Sequence, residues 1–129
     1  MAAVFAVALA VFMLVNRGSR AHDTISDADN PAALVGASTD TRIKSFQALV
    51  RAHPKDSRGY GYLADAYLQK VRETGDASYY TRAGALLSTA LRLNSRDPAA
   101  LTGSSTLALA RHDFRGGLHY AQEARIVAP

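Results

Sequence analysis

Four pairs of residues late in the chain stand 34 positions apart and match in kind: Tyr80 with Phe114, Ala83 with Gly117, Leu87 with Ala121, and Ala90 with Ala124. A fixed period of this length narrows the choice of fold more than any other feature. It suits one pair of α-helices with their turns, and such a unit cannot bury its apolar face alone. Neighbouring units must therefore stack. The repeated types follow the same logic: an aromatic, then small, apolar and small. Small residues let two helices approach closely, and the aromatic fills the wider space at the open end of the pair. The frame extends backwards, because Phe46, Leu49 and Pro54 fall where Leu87, Ala90 and the following turn lie.

Helical spacing of apolar residues begins near Asp40. Ile43, Phe46, Leu49 and Val50 make one face behind an expected N-cap at Thr39 or Asp40. Pro54 and Lys55-Asp56 end that helix. A second helix, from near Ser57, carries Tyr60, Leu63, Ala64, Tyr67 and Leu68. Gly75-Asp76 breaks the chain, with Asp76 expected to cap a third helix that carries Tyr79, Tyr80, Ala83, Leu86, Leu87, Ala90, Leu91 and Leu93. Pro98 suits the first turn of a fourth, whose face is Leu101, Ser105, Ala108 and Leu109. His112-Asp113 turns the chain into a fifth helix, from about 114 to 127. The expectation is an all-α domain over 40–129. Its core is Tyr60, Leu63, Ala64, Tyr67, Tyr80, Ala83, Leu87, Ala90, Leu101, Phe114, Gly117, Ala121 and Ala124.

The motif Tyr60-x-x-Leu63-Ala64-x-x-Tyr67, followed by Ala83, Leu87 and Ala90, resembles the tetratricopeptide-repeat family over residues 40–129. The stretch covers the second helix of one repeat and then two whole repeats. It departs from the family in three ways. Ser104 stands where Leu63 does, and Gly117 where Ala83 does. Tyr67 to Ala83 is also about seven residues longer than the family spacing, so extra residues near 71–78 should lengthen the hairpin and its turn. A non-repeat helix bundle is the competing fold.

The resemblance implies antiparallel helical hairpins in a right-handed superhelix, with the first helix of each pair lining a concave groove. Its groove-facing residues would be Arg58, Gly61, Asp65, Leu68 and Gln69, then Thr102, Thr106 and Leu109. The family's basic clamp for a C-terminal carboxylate uses Lys and Asn on these faces. Here Gly61, Asp65, Thr102 and Thr106 occupy those places, which argues against recognition of chaperone tails. The plainer reading of each residue is solvated surface.

No chemistry stands out. The chain has no Cys, which excludes disulfides, zinc–thiolate sites and thiol nucleophiles. His22 lies in the linker, His53 at a helix end and His112 in a turn, with His119 seven residues on, and no HExxH pattern or acidic cluster accompanies them. Gly103-Ser104-Ser105 is not a nucleophile elbow, and Arg115-Gly116-Gly117 reads as a helix start, not a phosphate loop. The 15 basic and 11 acidic residues give a net charge of +4 but are interspersed, a solvated surface and not a nucleic-acid footprint. No cofactor, metal or catalytic residue is expected, and the chain reads as a non-enzyme.

Residues 2–15 (AAVFAVALAVFMLV) are wholly apolar. The run is shorter than the roughly 20 residues of a bilayer span, and no Lys or Arg precedes it. The leading reading, for residues 1–17, is a single-pass anchor whose start lies upstream. A cleaved export signal comes second, and a buried helix third, since a helix apolar all round needs neighbours on every side. Arg17 and Arg20 after the run favour a cytoplasmic domain; lost upstream basic residues would favour an exported one. Residues 18–39 read as a flexible linker with a short apolar patch, Ala32 to Val35.

The functional expectation is a protein- or peptide-binding scaffold, membrane-anchored or exported. Its Ala, Arg and Leu bias suits a bacterial chain. Two alternatives are the repeat part of an assembly factor, such as one for cytochrome c maturation, and the regulatory fragment of a larger enzyme. Leu118, Ala121, Ile126 and Val127 leave the last helix unusually apolar, so further repeats downstream or self-association through the C-terminal end are expected.

Overall fold

The structure is a computed structural model and describes residues 30–129. The proposed anchor at 2–15 and most of the linker lie outside the described residues. Those residues form a one-turn 3-10 helix, Pro31–Leu34, and five α-helices: α1 Thr39–Ala52, α2 Ser57–Thr74, α3 Ser78–Leu93, α4 Pro98–Ala110 and α5 Phe114–Val127. No strand occurs among them.

Short polar side chains start the helices. Ser38 accepts from Thr41 N, Asp56 from Arg58 N, Asp97 from Ala100 N, and Asp113 from Gly116 N. Each such cap contributes about 1 kcal/mol. The α1 cap thus lies at Ser38, ahead of the expected Thr39 or Asp40; those two side chains are used elsewhere. Thr39 donates to Glu73, and Asp40 accepts from Lys70 Nζ at 2.7 Å. Asp76 does not occupy the N-cap of α3, which is Ala77, but its carboxylate accepts from Ser78 N at 2.9 Å. Gly75 closes α2 in the left-handed conformation, with φ of 72°, where a side chain would be strained. The extra residues near 71–78 therefore go mainly into α2, which continues through Thr74, and leave a three-residue turn.

Successive helices pack in order, α1 on α2, α2 on α3, α3 on α4 and α4 on α5, and α2 also packs on α4. Ala64, Ala66, Ala83, Ala90 and Ala100 are fully enclosed, so close helix approach rests on small side chains. Phe46, Leu49, Leu63, Tyr67, Leu68, Leu87 and Leu107 fill the rest of the core. Leu34 packs against this core and Val35 does not, so the apolar patch in the linker docks by one residue.

One packing arrangement occurs twice. The Phe46 and Tyr62 rings touch, their centroids 5.5 Å apart. The residues 41 positions on, Leu87 and Gly103, also meet, so closely that a Cβ on Gly103 would stand 2.7 Å from Leu87 Cδ2. At this spacing Leu49 and Ala90, Gly59 and Ala100, Leu63 and Ser104, Ala64 and Ser105, Ala66 and Leu107, and Tyr67 and Ala108 are buried at both members.

Two expected core residues are not core. Phe114 and Ala121 are exposed, and Ala124, Tyr60 and Tyr80 are only half-buried. The physical reason is position. Helix α5 packs chiefly on α4, and the face carrying Gly117 is the one covered.

Candidate functional site

The expected groove residues divide by neighbour. Leu68 is 2% exposed and belongs to the core, a correction to its groove-facing assignment. Gly61 is buried too, with Ala99 and Ala100 so near that a Cβ would stand 3.1 Å from Ala99 Cβ. The long α2 carries α3 and α4 against it, and these close over positions that a lone hairpin would leave open.

The polar members remain at the surface but are engaged within the domain. The Arg58 guanidinium forks onto the Asp56 carboxylate, the shortest contact 2.6 Å. This pairing holds Asp56 below the usual carboxylate range and Arg58 above its usual value. Asp65 meets Arg42 at 3.2 Å. Gln69 donates to Glu73 and accepts from Arg72. Glu73 is held low by the hydrogen bonds from Thr39 and Gln69, and Lys70 is held high by Asp40. On α4, Thr106 returns its hydroxyl to Thr102 O at 3.1 Å, while Thr102 itself is exposed. The α2 face is therefore a surface whose polar side chains are paired within the domain, each exposed pair contributing little to stability.

Asp97 is the one deeply buried carboxylate among the described residues, at 1% exposure. Its Oδ1 accepts from Ala100 N at 2.9 Å and its Oδ2 from the Ser57 hydroxyl at 2.6 Å. Both oxygens are committed to the starts of α4 and α2, where helix dipoles favour an anion. This arrangement joins the two helices. No three His, Cys, Asp or Glu side chains among the described residues stand close enough to hold a metal ion. No described helix is long and apolar enough to cross a membrane.

An apolar surface opens at the C-terminal end. Leu109 is 47% exposed, Phe114 67% and Leu118 59%. Phe114, Leu118 and Ala121 recur at the i, i+4 and i+7 spacing of one helix face. Leu109 lies beside them against Gly117, where a Cβ would meet it at 2.7 Å. Leu118 was legible in the sequence as apolar surface and Leu109 as a groove-facing residue, whereas Phe114 and Ala121 were assigned to the core, which their residue types suit equally well.

The chain matches no family model, and no curated protein matches it. The functional reading therefore rests on the residues and their geometry.

Hollows lie at the surface of the described residues. One, of about 710 Å³, lies between α3 and α4 and is lined also by Tyr120 of α5. A second gathers residues of the α1–α2 turn and the end of α3, and a third lies under Pro31 and Tyr62. Sequence reasoning missed the first, which involves none of the expected groove residues.

Proposed function

We propose that this chain is a non-catalytic interaction module of tetratricopeptide-like hairpins stacked in a right-handed superhelix, held at a membrane or exported through residues 2–15. The observation that carries this reading is the doubled packing arrangement, in which α1–α2 contacts recur in α3–α4 with the residues shifted by 41 positions. That spacing is the 34-residue family period plus the seven extra residues carried mainly by α2. Stacked units bind along their length, and the absence of an assembled acid, base or nucleophile among the described residues fits that use.

The partner is a protein or peptide, and the flank of exposed Thr102 and half-buried Thr106 remains its place of contact on the concave side. Photo-crosslinking residues introduced singly at Thr102, Thr106 and Leu118 in the cells that make the protein should yield discrete adducts. A fourth at Arg72, on the satisfied α2 face, should not. Absence of adducts above the Arg72 background at all three positions would overturn the reading.

The apolar end favours a second reading within the first, self-association. Leu109, Phe114 and Leu118 occupy the side of the last hairpin on which a following helix would stack. Light scattering of the full chain in detergent should show a dimer that Leu118→Glu returns to monomer. A monomeric parent at high concentration would remove self-association and leave the stacking surface to another protein.

A further inference from the structure

The groove between α3 and α4 has a counterpart between α1 and α2, and the two are finished differently. In the first, Lys70 Nζ is 2.7 Å from Asp40 and the Gln47 side chain donates to the Tyr67 hydroxyl at 3.1 Å. Ile43 packs onto the core between them. That crevice is filled and its cation neutralised by the chain itself. Forty-one positions on, Lys70 becomes Arg111, but Asp40 becomes Thr81, Ile43 becomes Gly84, Gln47 becomes Ser88 and Tyr67 becomes Ala108. The side chains that bridged and filled the first crevice are truncated in the second, and only the cation is kept.

A hollow of about 710 Å³ results, within the ordinary range for ligand sites. Its floor is Leu87, Leu91 and Leu107. The Arg111 guanidinium reaches to Gly84, its nitrogens 3.9 and 4.0 Å from where a Cβ would stand. Arg92 lies at the other end of the groove. Asp113 also borders the hollow, but its Oδ1 accepts from Gly116 N at 2.8 Å as the cap of α5. Among the described residues Arg111 makes no ion pair, where its counterpart Lys70 is paired with Asp40, and Asp113 is the one carboxylate that borders the hollow.

We propose that this groove binds an extended acidic peptide segment of a partner protein. The segment supplies in trans what Asp40, Ile43 and Tyr67 supply within the chain: a carboxylate to Arg111 and an apolar side chain over Gly84 and Ala108. Gly84 and Arg92 are eight residues apart on α3, about 12 Å along its axis. An extended strand advances about 3.3 Å per residue and turns alternate side chains to one side. Carboxylates four residues apart, with an apolar residue midway, therefore reach both arginines, and guanidinium forks suit carboxylates. The proposal rests on the interaction-module reading but on a surface separate from the concave flank and the apolar end.

The test uses the full chain in detergent micelles and the capped peptide Glu-Thr-Leu-Thr-Glu, followed by amide chemical shifts. Saturable shifts at Gly84, Ser88 and Ala108 are expected. Arg111→Glu should weaken binding at least tenfold, and a peptide in which one glutamate is replaced by lysine, Lys-Thr-Leu-Thr-Glu or Glu-Thr-Leu-Thr-Lys, should recover affinity for that variant, since Arg92 still takes a carboxylate. Thr81→Asp, an exposed change that gives Arg111 the intramolecular partner Lys70 has, should also weaken binding at least tenfold. No saturable shift at the three groove positions, or equal affinity in parent and Thr81→Asp, would overturn the proposal. Shifts confined to Thr102 and Thr106 would overturn it while leaving the interaction-module reading in place. The cross-linking and light-scattering results decide that reading independently.

Discussion

The α2 and α4 helices carry leucine at matched places, Leu68 and Leu109, yet one is 2% and the other 47% exposed. The same holds one helix later, where Leu87 is buried and its partner in the 34-residue frame, Ala121, is open. Identity at a repeat position sets what a side chain can do, and the neighbour decides whether it does so. The first hairpin has helices on both sides, α1 before it and α4 after it. The second has a neighbour on one side only.

The widest separation between the hairpins should come from truncating that leucine pair. Leu68→Ala is expected to destabilise the chain by about 2–5 kcal/mol, since it opens a cavity in a packed core. Leu109→Ala should cost less than about 1 kcal/mol, being half in solvent already. Chemical denaturation of the full chain measures both, and equal losses would break the comparison. Asp97→Ala comes next at about 1–3 kcal/mol, because it removes a cap and strands the Ser57 hydroxyl. Asp56→Ala, the matched cap on the solvent side, should lose about 1 kcal/mol.

Overpacking sharpens the contrast at the alanines. Ala90 is fully enclosed, so Ala90→Leu should cost about 1–3 kcal/mol. Ala124→Leu, at the matched half-buried place, should change the thermal midpoint much less. A parent-like midpoint for Ala90→Leu would mean that α3 does not pack in this register. The smallest effect concerns acid. Glu73 is held below its usual value by Thr39 and Gln69. A carboxylate lowered in the folded state adds stability above its unfolded value and loses it as pH falls through the folded one. Glu73→Gln should therefore differ from the parent near neutrality, and the two should converge below about pH 4. A gap that persists there would assign the effect to packing.

Much of this fold was legible in the sequence because the chain punctuates itself. Pro54 to Asp56 and His112-Asp113 mark breaks between helices, Pro98 a first turn and Gly75 a stop, and each acts through local backbone geometry that needs no distant partner; the named caps, Thr39 or Asp40 and Asp76, fell beside the true ones at Ser38 and Ala77. The enclosed residues of α2 and α3 were legible for a related reason, since spacing alone puts Leu63, Ala64, Tyr67, Ala83, Leu87 and Ala90 on facing sides. Phe114 and Ala121 were misplaced because spacing names a face without saying what covers it. Leu68 erred in the opposite direction: a residue assigned to an open groove lies under packed helices. The hollow beside Arg111 was missed because it is defined by removed volume on two helices at once. Comparing Ile43 with Gly84 and Tyr67 with Ala108 would have exposed it.

The extended α2 has a mechanical meaning. Its last two turns reach past the body of the hairpin and fasten the beginning of α1, through Thr39 to Glu73 and Asp40 to Lys70. A pull on the chain from before residue 30 meets Leu34 on the core first and this fastening next, where the two contacts share what load passes that residue.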